Sequence, residues 1–454
     1  MNNDFSKTNA TTRRDFVKQT SLLTGGLIAA PFLSRANYFA GANDTIKIAL
    51  VGCGGRGTGA AMQALSTTQN VKLVAMADAF RDNLDKCYKS LTAEPASATT
   101  AGKAKVARAD VRSKVDVPEE NKFTGFDGYL KAIPLADVVI LATPPGFRPL
   151  HFEEAIKQNK HCFIEKPLGT DPAGIQRALA AGEMAKQKKL NVVVGLQRHY
   201  QNSYRELFKQ KDQIGDITSA QAWWNNDGVW VRERKDNQTE MEYQMRNWYY
   251  FVWLCGDHIT EQHVHNLDVI NWFKGAYPAK AQGMGGREVR KGKNHGEIFD
   301  HHFVEFTYPD GSVLNSQCRH IPGTMSRVDE LLIGTKGKIQ TGAANIVDHK
   351  GKVLYQYDKT KENNPYQTEH DELFAAIAKG EYKFADTENG AKSTMTSILG
   401  RMATYSGQMV EWDKAINSGL DLHPKVYDWN AAPPVLPNQD GFYPVAIPGK
   451  TRYA

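Results

Sequence analysis

At 454 residues, with 41% hydrophobic and 23% charged side chains, the chain is long enough for two domains and lacks the composition of a disordered protein. The formal charge is +6, but five basic residues (Lys7, Arg13, Arg14, Lys18, Arg35) against two acidic ones (Asp4, Asp15) put half of it in residues 1–42. No basic run with interleaved aromatics remains, which argues against a nucleic-acid partner. Five cysteines without framework spacing argue against a disulfide scaffold, and no CxxC pair suggests zinc.

The chain begins with an address. Arg13-Arg14-Asp15-Phe16-Val17-Lys18 resembles a twin-arginine export signal, and the apolar stretch after it is too short and too rich in Gly, Thr and Ser to span a bilayer. The small residues Ala40 to Ala42 offer a cleavage site, so residues 1–42 are expected to be a signal peptide, with periplasmic or otherwise exported localisation and no stable membrane insertion. That route carries folded proteins and the periplasm offers no free nucleotide pool, so a nucleotide cofactor is expected to be tightly held.

Residues 43–197 read as a dinucleotide-binding domain. Ile46, Ile48, Leu50 and Val51 form an apolar strand, followed by Gly52-Cys53-Gly54-Gly55-Arg56-Gly57, a GxGxxG turn that opens a helix. The first glycine allows the turn, the second lets backbone approach a pyrophosphate, and the third permits close helix–strand packing. A second strand, VKLVAMAD, ends in Asp78, where an acid bonds a ribose 2′-hydroxyl and repels a 2′-phosphate. The cofactor expected is NAD rather than NADP, although Arg81 nearby keeps NADP open. Then come a buried strand ending at Thr143-Pro144-Pro145, a helix in HFEEAIKQN, and a strand ending in Glu165-Lys166-Pro167. A helix capped by Asp171 with Pro172 at its first position and the strand NVVVGL complete a parallel, doubly wound sheet.

Beyond Arg198 the pattern changes. Residues 198–430 show strand-like alternation in DITSAQAWWNNDGVWVRERKDN and HHFVEFTYPDGSVLNSQCRHI, with the turn YPDGS. Trp223, Trp224, Trp230, Trp248 and Trp253 fall early in this part; aromatic faces beside polar groups suit a carbohydrate, and core packing explains any one of them as well. The segment CGDHITEQHVHNLDVINW carries His258, Glu261, His263 and His265. Read as one helix, it places Glu261 and His265 on one face at i, i+4, with Asp268 and Trp272 continuing it. His258, Glu261 and His265 are a conceivable metal set, but no HExxH order exists, and no metal is expected. A core histidine without chemistry is the plain alternative. His265 as a proton-transfer group is the sharper reading, since an ordinary histidine pKa of ~6.5 suits reversible deprotonation of an alcohol. Residues 431–454 form a proline-rich tail expected to wrap a neighbour or its own domain.

GxGxxG, then ATPP…EKP, then the histidine segment together resemble the Gfo/Idh/MocA oxidoreductase family over roughly residues 45–400. The resemblance implies an α/β protein: an N-terminal Rossmann domain and a C-terminal α+β domain with a large, mostly antiparallel sheet that often supports homo-oligomers. It implies NAD contacts from Gly52, Cys53, Gly54, Gly55, Arg56, Gly57, Asp78, Thr143, Pro144, Glu165 and Lys166. Lys166 would steady an alkoxide, and His265 takes the catalytic histidine position, with Glu261 standing where the family has aspartate and His263 where it has a small residue. Glu261 joins them as a catalytic candidate, placed to orient His265 or to bond a second substrate hydroxyl. Arg148 falls where many members have histidine, with His151 three residues on; Arg148 and Trp248 join Glu261 and His265 as candidate substrate contacts. The expected activity is hydride transfer from a ring hydroxyl, C3 for example, of a sugar or glycoside to NAD. One alternative is a glycosidase of the same fold that oxidises transiently, eliminates the aglycone, adds water and re-reduces; another is a non-catalytic sugar-binding protein.

Overall fold

The computed structural model describes residues 44–94 and 109–452, and the twin-arginine segment lies outside them. The first sheet is built from β1 (Ile46–Val51), β2 (Val71–Asp78), β3 (Lys122–Thr124), β4 (Val138–Leu141), β5 (His161–Ile164) and β6 (Val192–Val194). Its order is β3-β2-β1-β4-β5-β6 and every pairing is parallel. All four residues of β4 and of β5 are buried, as expected of strands covered on both faces. Strand order reverses between β1 and β4, so a crevice opens beyond their carboxyl ends. Among the helices beside the sheet are α1 (Gly55–Leu65), α2 (Arg81–Thr92), α3 (Arg148–Lys157) and α4 (Pro172–Gln187). Asp171 caps α4, its Oδ1 accepting from the Gly174 amide at 2.7 Å.

The second sheet contains β7 (Ile217–Asn226), β8 (Lys280–Gly286), β9 (His301–Thr307), β10 (Val313–His320), β11 (Arg327–Gly334), β12 (Gly337–Gln340), β13 (Asn345–Asp348), β14 (Val353–Gln356) and β15 (Val410–Glu411). The order is β14-β13-β12-β11-β7-β10-β9-β8-β15; only β7 and β10 pair in parallel, the rest being antiparallel. Residues alternate between buried and half-exposed along β9 and β10, the signature of a sheet with one packed face. That face meets α5 (Val264–Lys274) and α7 (Thr387–Ser406) through Leu267, Ile270, Ile398, Leu399, Phe306 and Leu332.

A division at residue 198 is crossed by returning segments, Tyr427 and Trp429 packing on Phe126 among them. Helix α6 (Pro365–Ala378) and Phe384 enter the Rossmann core, where Leu373, Phe374 and Ile377 pack with Ile48, Leu50 and Ala61. The proline-rich tail lies on its own chain: Tyr443 packs on Phe251 with ring centroids 4.9 Å apart, and the Val435 carbonyl accepts from Gln244 at 2.7 Å. The histidine segment departs from a single helix. His258–Glu261 forms one short turn, the chain breaks at Gln262 and His263, and α5 begins at Val264. Glu261 accordingly lies outside the helix that carries His265, Asp268 and Trp272. Asp268 is buried against His199 (2.7 Å), Ser393 (2.8 Å) and Asn389 (2.9 Å), and Trp272 stacks on His199 and Phe208. All five cysteines are free and buried, and no described helix is long and apolar enough to cross a membrane.

Candidate active site

The glycine loop explains itself atom by atom. Gly52 has φ +98°, and a Cβ there would lie 2.6 Å from the Ala142 carbonyl carbon and the Thr143 amide. A Cβ on Gly57 would lie 1.8 Å from the Gly52 carbonyl oxygen, so the loop cannot close on α1 with any larger residue. A Cβ on Gly54 would meet nothing within 4 Å. That open side faces the crevice, and the first turn of α1 has no side-chain cap, so its amides are free to receive an anion. Asp78 closes the loop from β2: Oδ2 accepts from the Cys53 amide at 2.7 Å and Oδ1 from the Phe80 amide at 2.9 Å. Burial raises its pKa against those donors. The Cys53 side chain turns into the core, its thiol reaching the Ala77 carbonyl, so this residue contributes backbone alone, as does Gly57. Arg81 is spent on Asp85 and Glu119 at the surface and does not line the crevice. An open glycine cradle, free amides and a ribose-reading carboxylate fit NAD.

The crevice of about 1000 Å³ is lined by Gly52, Gly54, Gly55, Arg56, Asp78, Thr143, Pro144, Arg148, Glu165, Lys166, Trp248, Glu261 and His265, so all the remaining candidates converge there. Thr143 and Pro144 follow β4, and Glu165 and Lys166 follow β5, which is why a topological switch point gathers them. Lys166 reaches across to the second domain, where its Nζ donates to Glu261 Oε1 at 3.0 Å and to the Glu261 carbonyl. Both side chains are largely enclosed. Glu261 therefore holds the lysine and not His265, a correction to the orienting role expected of it.

His265 is buried, with Nδ1 shut away from solvent and without a partner, which leaves Nε2 as the nitrogen available to the crevice. Its ring lies against Trp224 at 6.0 Å between centroids. Burial holds its pKa well below the ordinary value, and the charges of Lys166, Arg198 and Arg56 press the same way, so the ring is neutral near pH 7. His151 bonds Thr143 Oγ1 at 3.2 Å, and burial, then Arg148, lowers its pKa to about 3. Arg148 donates to the Pro167 carbonyl at 2.7 Å, and burial pulls its pKa down to about 10. It braces the Lys166 turn from behind as well as lining the crevice.

Arg56 points inward. Its guanidinium bonds Glu165, Gln63 (3.0 Å) and Glu369 (3.3 Å) and lies 5.0 Å over Tyr366. Burial, the largest influence on Glu165, pushes its pKa up, but Arg56, Arg148 and Lys166 together hold it below the ordinary value. Glu369 is raised by burial and by Glu165, so it carries the proton of this pair. Sequence reading missed Glu369, Tyr366 and Gln262, all of which depend on contacts between distant segments.

The metal set does not assemble. His258 turns to Asp257 (2.7 Å), while Glu261 serves Lys166. Among the described residues two groups have metal-compatible spacing, Asp257–His258–His302 and Asp171–Asp421–His423. In each the central carboxylate already accepts protein hydrogen bonds, Asp257 from Phe299 and Tyr405 and Asp171 from Gly174 and Leu422.

Fold and crevice define a two-domain dinucleotide-binding protein with a charged, half-enclosed crevice where the domains meet. Residues 46–196 match the Gfo/Idh/MocA family, an oxidoreductase family with an NAD-binding Rossmann fold, and this part of the chain is an NAD-binding Rossmann domain. An inositol 2-dehydrogenase of Gluconacetobacter diazotrophicus is 30% identical over 168 residues, 37% of this chain and 43% of the relative. A 2,7-anhydro-N-acetylneuraminate hydratase of Escherichia coli is 26% identical over 215 residues, 45% of this chain and 51% of the relative. The chain thus spans about half the length of the curated relatives it matches. The fold as a whole is shared with the scyllo-inositol dehydrogenase of Lactobacillus casei, solved with NAD(H) and scyllo-inositol: TM-score 0.59, 19% identity, covering 82% of this chain and all of that one.

Asp78→Ala is expected to narrow the preference for NAD over NADP by on the order of 1–3 kcal/mol, the loss of a hydrogen bond to a charged acceptor. Dissociation constants for both nucleotides measure this, and an unchanged ratio would contradict the assignment.

Proposed function

We propose that the protein is an exported NAD-dependent oxidoreductase that removes hydride from a ring hydroxyl of a sugar, glycoside or cyclic polyol. The observation that carries the reading is the meeting of Lys166 and a neutral His265 in the crevice that begins at the glycine loop. NAD bound in that crevice supplies the hydride acceptor. The chain's own residues do the rest. Lys166, anchored by Glu261, binds the reacting oxygen and stabilises negative charge as it develops there. His265 takes the hydroxyl proton at Nε2. Burial keeps the imidazole neutral, the form that accepts a proton, but the depressed pKa makes it a weaker base than an ordinary histidine, so the charge of Lys166 on the developing alkoxide carries the larger share of the step. Trp224 and Trp248, both at the crevice, supply aromatic faces for the C–H face of a ring.

The likeness to a hydratase supports a second reading, in which the oxidation is transient. A ketone beside the anomeric carbon's neighbour acidifies that carbon's proton, a leaving group departs, water adds, and the ketone is reduced again, so no external acceptor is needed.

Incubation with inositols and glycosides separates the two: reduced nicotinamide and a keto product for the first, free aglycone for the second. Either way Lys166→Ala and His265→Ala are expected to bind NAD and to lose turnover by at least ~10²-fold. Near-full activity in either variant would remove that residue from the mechanism.

Export is proposed on Arg13 and Arg14, which lie outside the described residues. Replacing both with lysine is expected to leave the precursor inside the cell; unchanged periplasmic protein by fractionation and immunoblotting would overturn it.

A further inference from the structure

Behind the crevice lies a chain of hydrogen bonds whose direction is fixed by chemistry. Arg290 is buried, and its Nη2 lies 2.6 Å from Nδ1 of the equally buried His320. A guanidinium only donates, so Nδ1 of His320 must be the bare, accepting nitrogen. The ring's proton is then on Nε2. That nitrogen lies 2.7 Å from the side-chain oxygen of Gln262, which therefore accepts. With Oε1 committed, the carboxamide NH2 of Gln262 is the end left over. It has no partner among the described residues, and Gln262 lines the crevice beside Glu261 and His265.

The anchors of this relay are rigid. Arg290 donates through Nη1 to the Phe299 carbonyl at 2.6 Å and through its amide to Asp300 Oδ2 at 3.0 Å. The His320 amide donates to the Asp300 carbonyl at 2.8 Å. Asp300 thus ties the arginine and the histidine to one point of the sheet. On the other side of the ring, Gly228 has φ +101°, and a Cβ there would come within 3.2 Å of the His320 Cβ.

We propose that Gln262 is a specificity-determining substrate contact: its NH2 group, aimed by Arg290 and His320, donates to an oxygen of the bound ring, a hydroxyl or carbonyl beside the reacting carbon. This rests on the proposed polyol or sugar substrate. Gln262 reads the ligand, and His320 and Arg290 are positioning residues that decide which end of the carboxamide does the reading. Burial, followed by the charges of His258 and Arg290, holds the His320 pKa far below the ordinary value, so the relay keeps its direction at working pH.

Two measurements test it on the full-length protein. Long-range proton–nitrogen NMR of the His320 ring in the NAD-loaded wild type is expected to show the Nε2–H tautomer; Nδ1–H or an imidazolium near pH 7 would overturn the relay. Calorimetry with myo-inositol, scyllo-inositol and methyl glucoside then compares wild type with Gln262→Met, which keeps the side chain's length but offers neither donor nor acceptor to the ligand. Binding of the best ligand is expected to weaken roughly three- to tenfold, the span of one neutral hydrogen bond. Equal affinity would overturn the contact. His320→Phe is expected to raise KM more than it lowers kcat, a split that general loosening of the fold would not produce; an equal loss in both would reduce His320 to packing. If the wild type binds NAD but none of the three ligands, the substrate class falls and the contact with it, while the ring tautomer still decides the relay by itself.

Discussion

The ion pair between Lys166 and Glu261 is the constraint on which the crevice depends. One partner ends a strand of the parallel sheet and the other ends a short helical turn of the second domain, so the pair spans the reaction site. An ammonium in a half-enclosed crevice needs a counter-charge, because desolvation without a partner costs several kcal/mol. Glu261 supplies it with both its carboxylate and its carbonyl. The lysine is thereby fixed in direction, and its charge reaches His265, which it helps keep neutral.

The same logic organises the second charged group. Arg56 leaves the glycine loop to sit among Glu165, Glu369 and Gln63, so its charge is used to hold the strand end that carries Lys166. Two carboxylates around one guanidinium cannot both ionise cheaply, and their pKa values are driven apart, Glu165 down and Glu369 up. Because Glu369 comes from α6, which returns to the Rossmann core from far along the chain, the site is braced by a segment that belongs by sequence to the other domain.

Much of this was legible in the chain. Gly52, Gly54 and Gly57 announce their separate tasks by spacing, and the structure assigns a distinct steric reason to each. Asp78 and the run ending in Lys166 are legible because strand ends of a doubly wound sheet converge by topology alone. The histidine segment was harder. Periodicity made it one helix, but Asp257, with φ +70°, and the break at Gln262 and His263 arise from tertiary bonds that no local pattern carries. His263, an oddity by sequence, is a buried structural residue bonded to Ser316 at 2.7 Å. The inward turns of Cys53 and Arg56 and the Arg290–His320–Gln262 relay were illegible because each joins segments that only the folded chain brings together.

The central claim is that burial and the charge of Lys166 hold His265 neutral, ready to accept a proton. The direct measurement is an NMR titration of the His265 ring in the NAD-loaded protein, alongside Lys166→Met. The account predicts a wild-type midpoint well below the ordinary histidine value and a pKa that rises when the lysine charge is removed. A wild-type midpoint at or above the ordinary value of ~6.5, unmoved by the substitution, would contradict it.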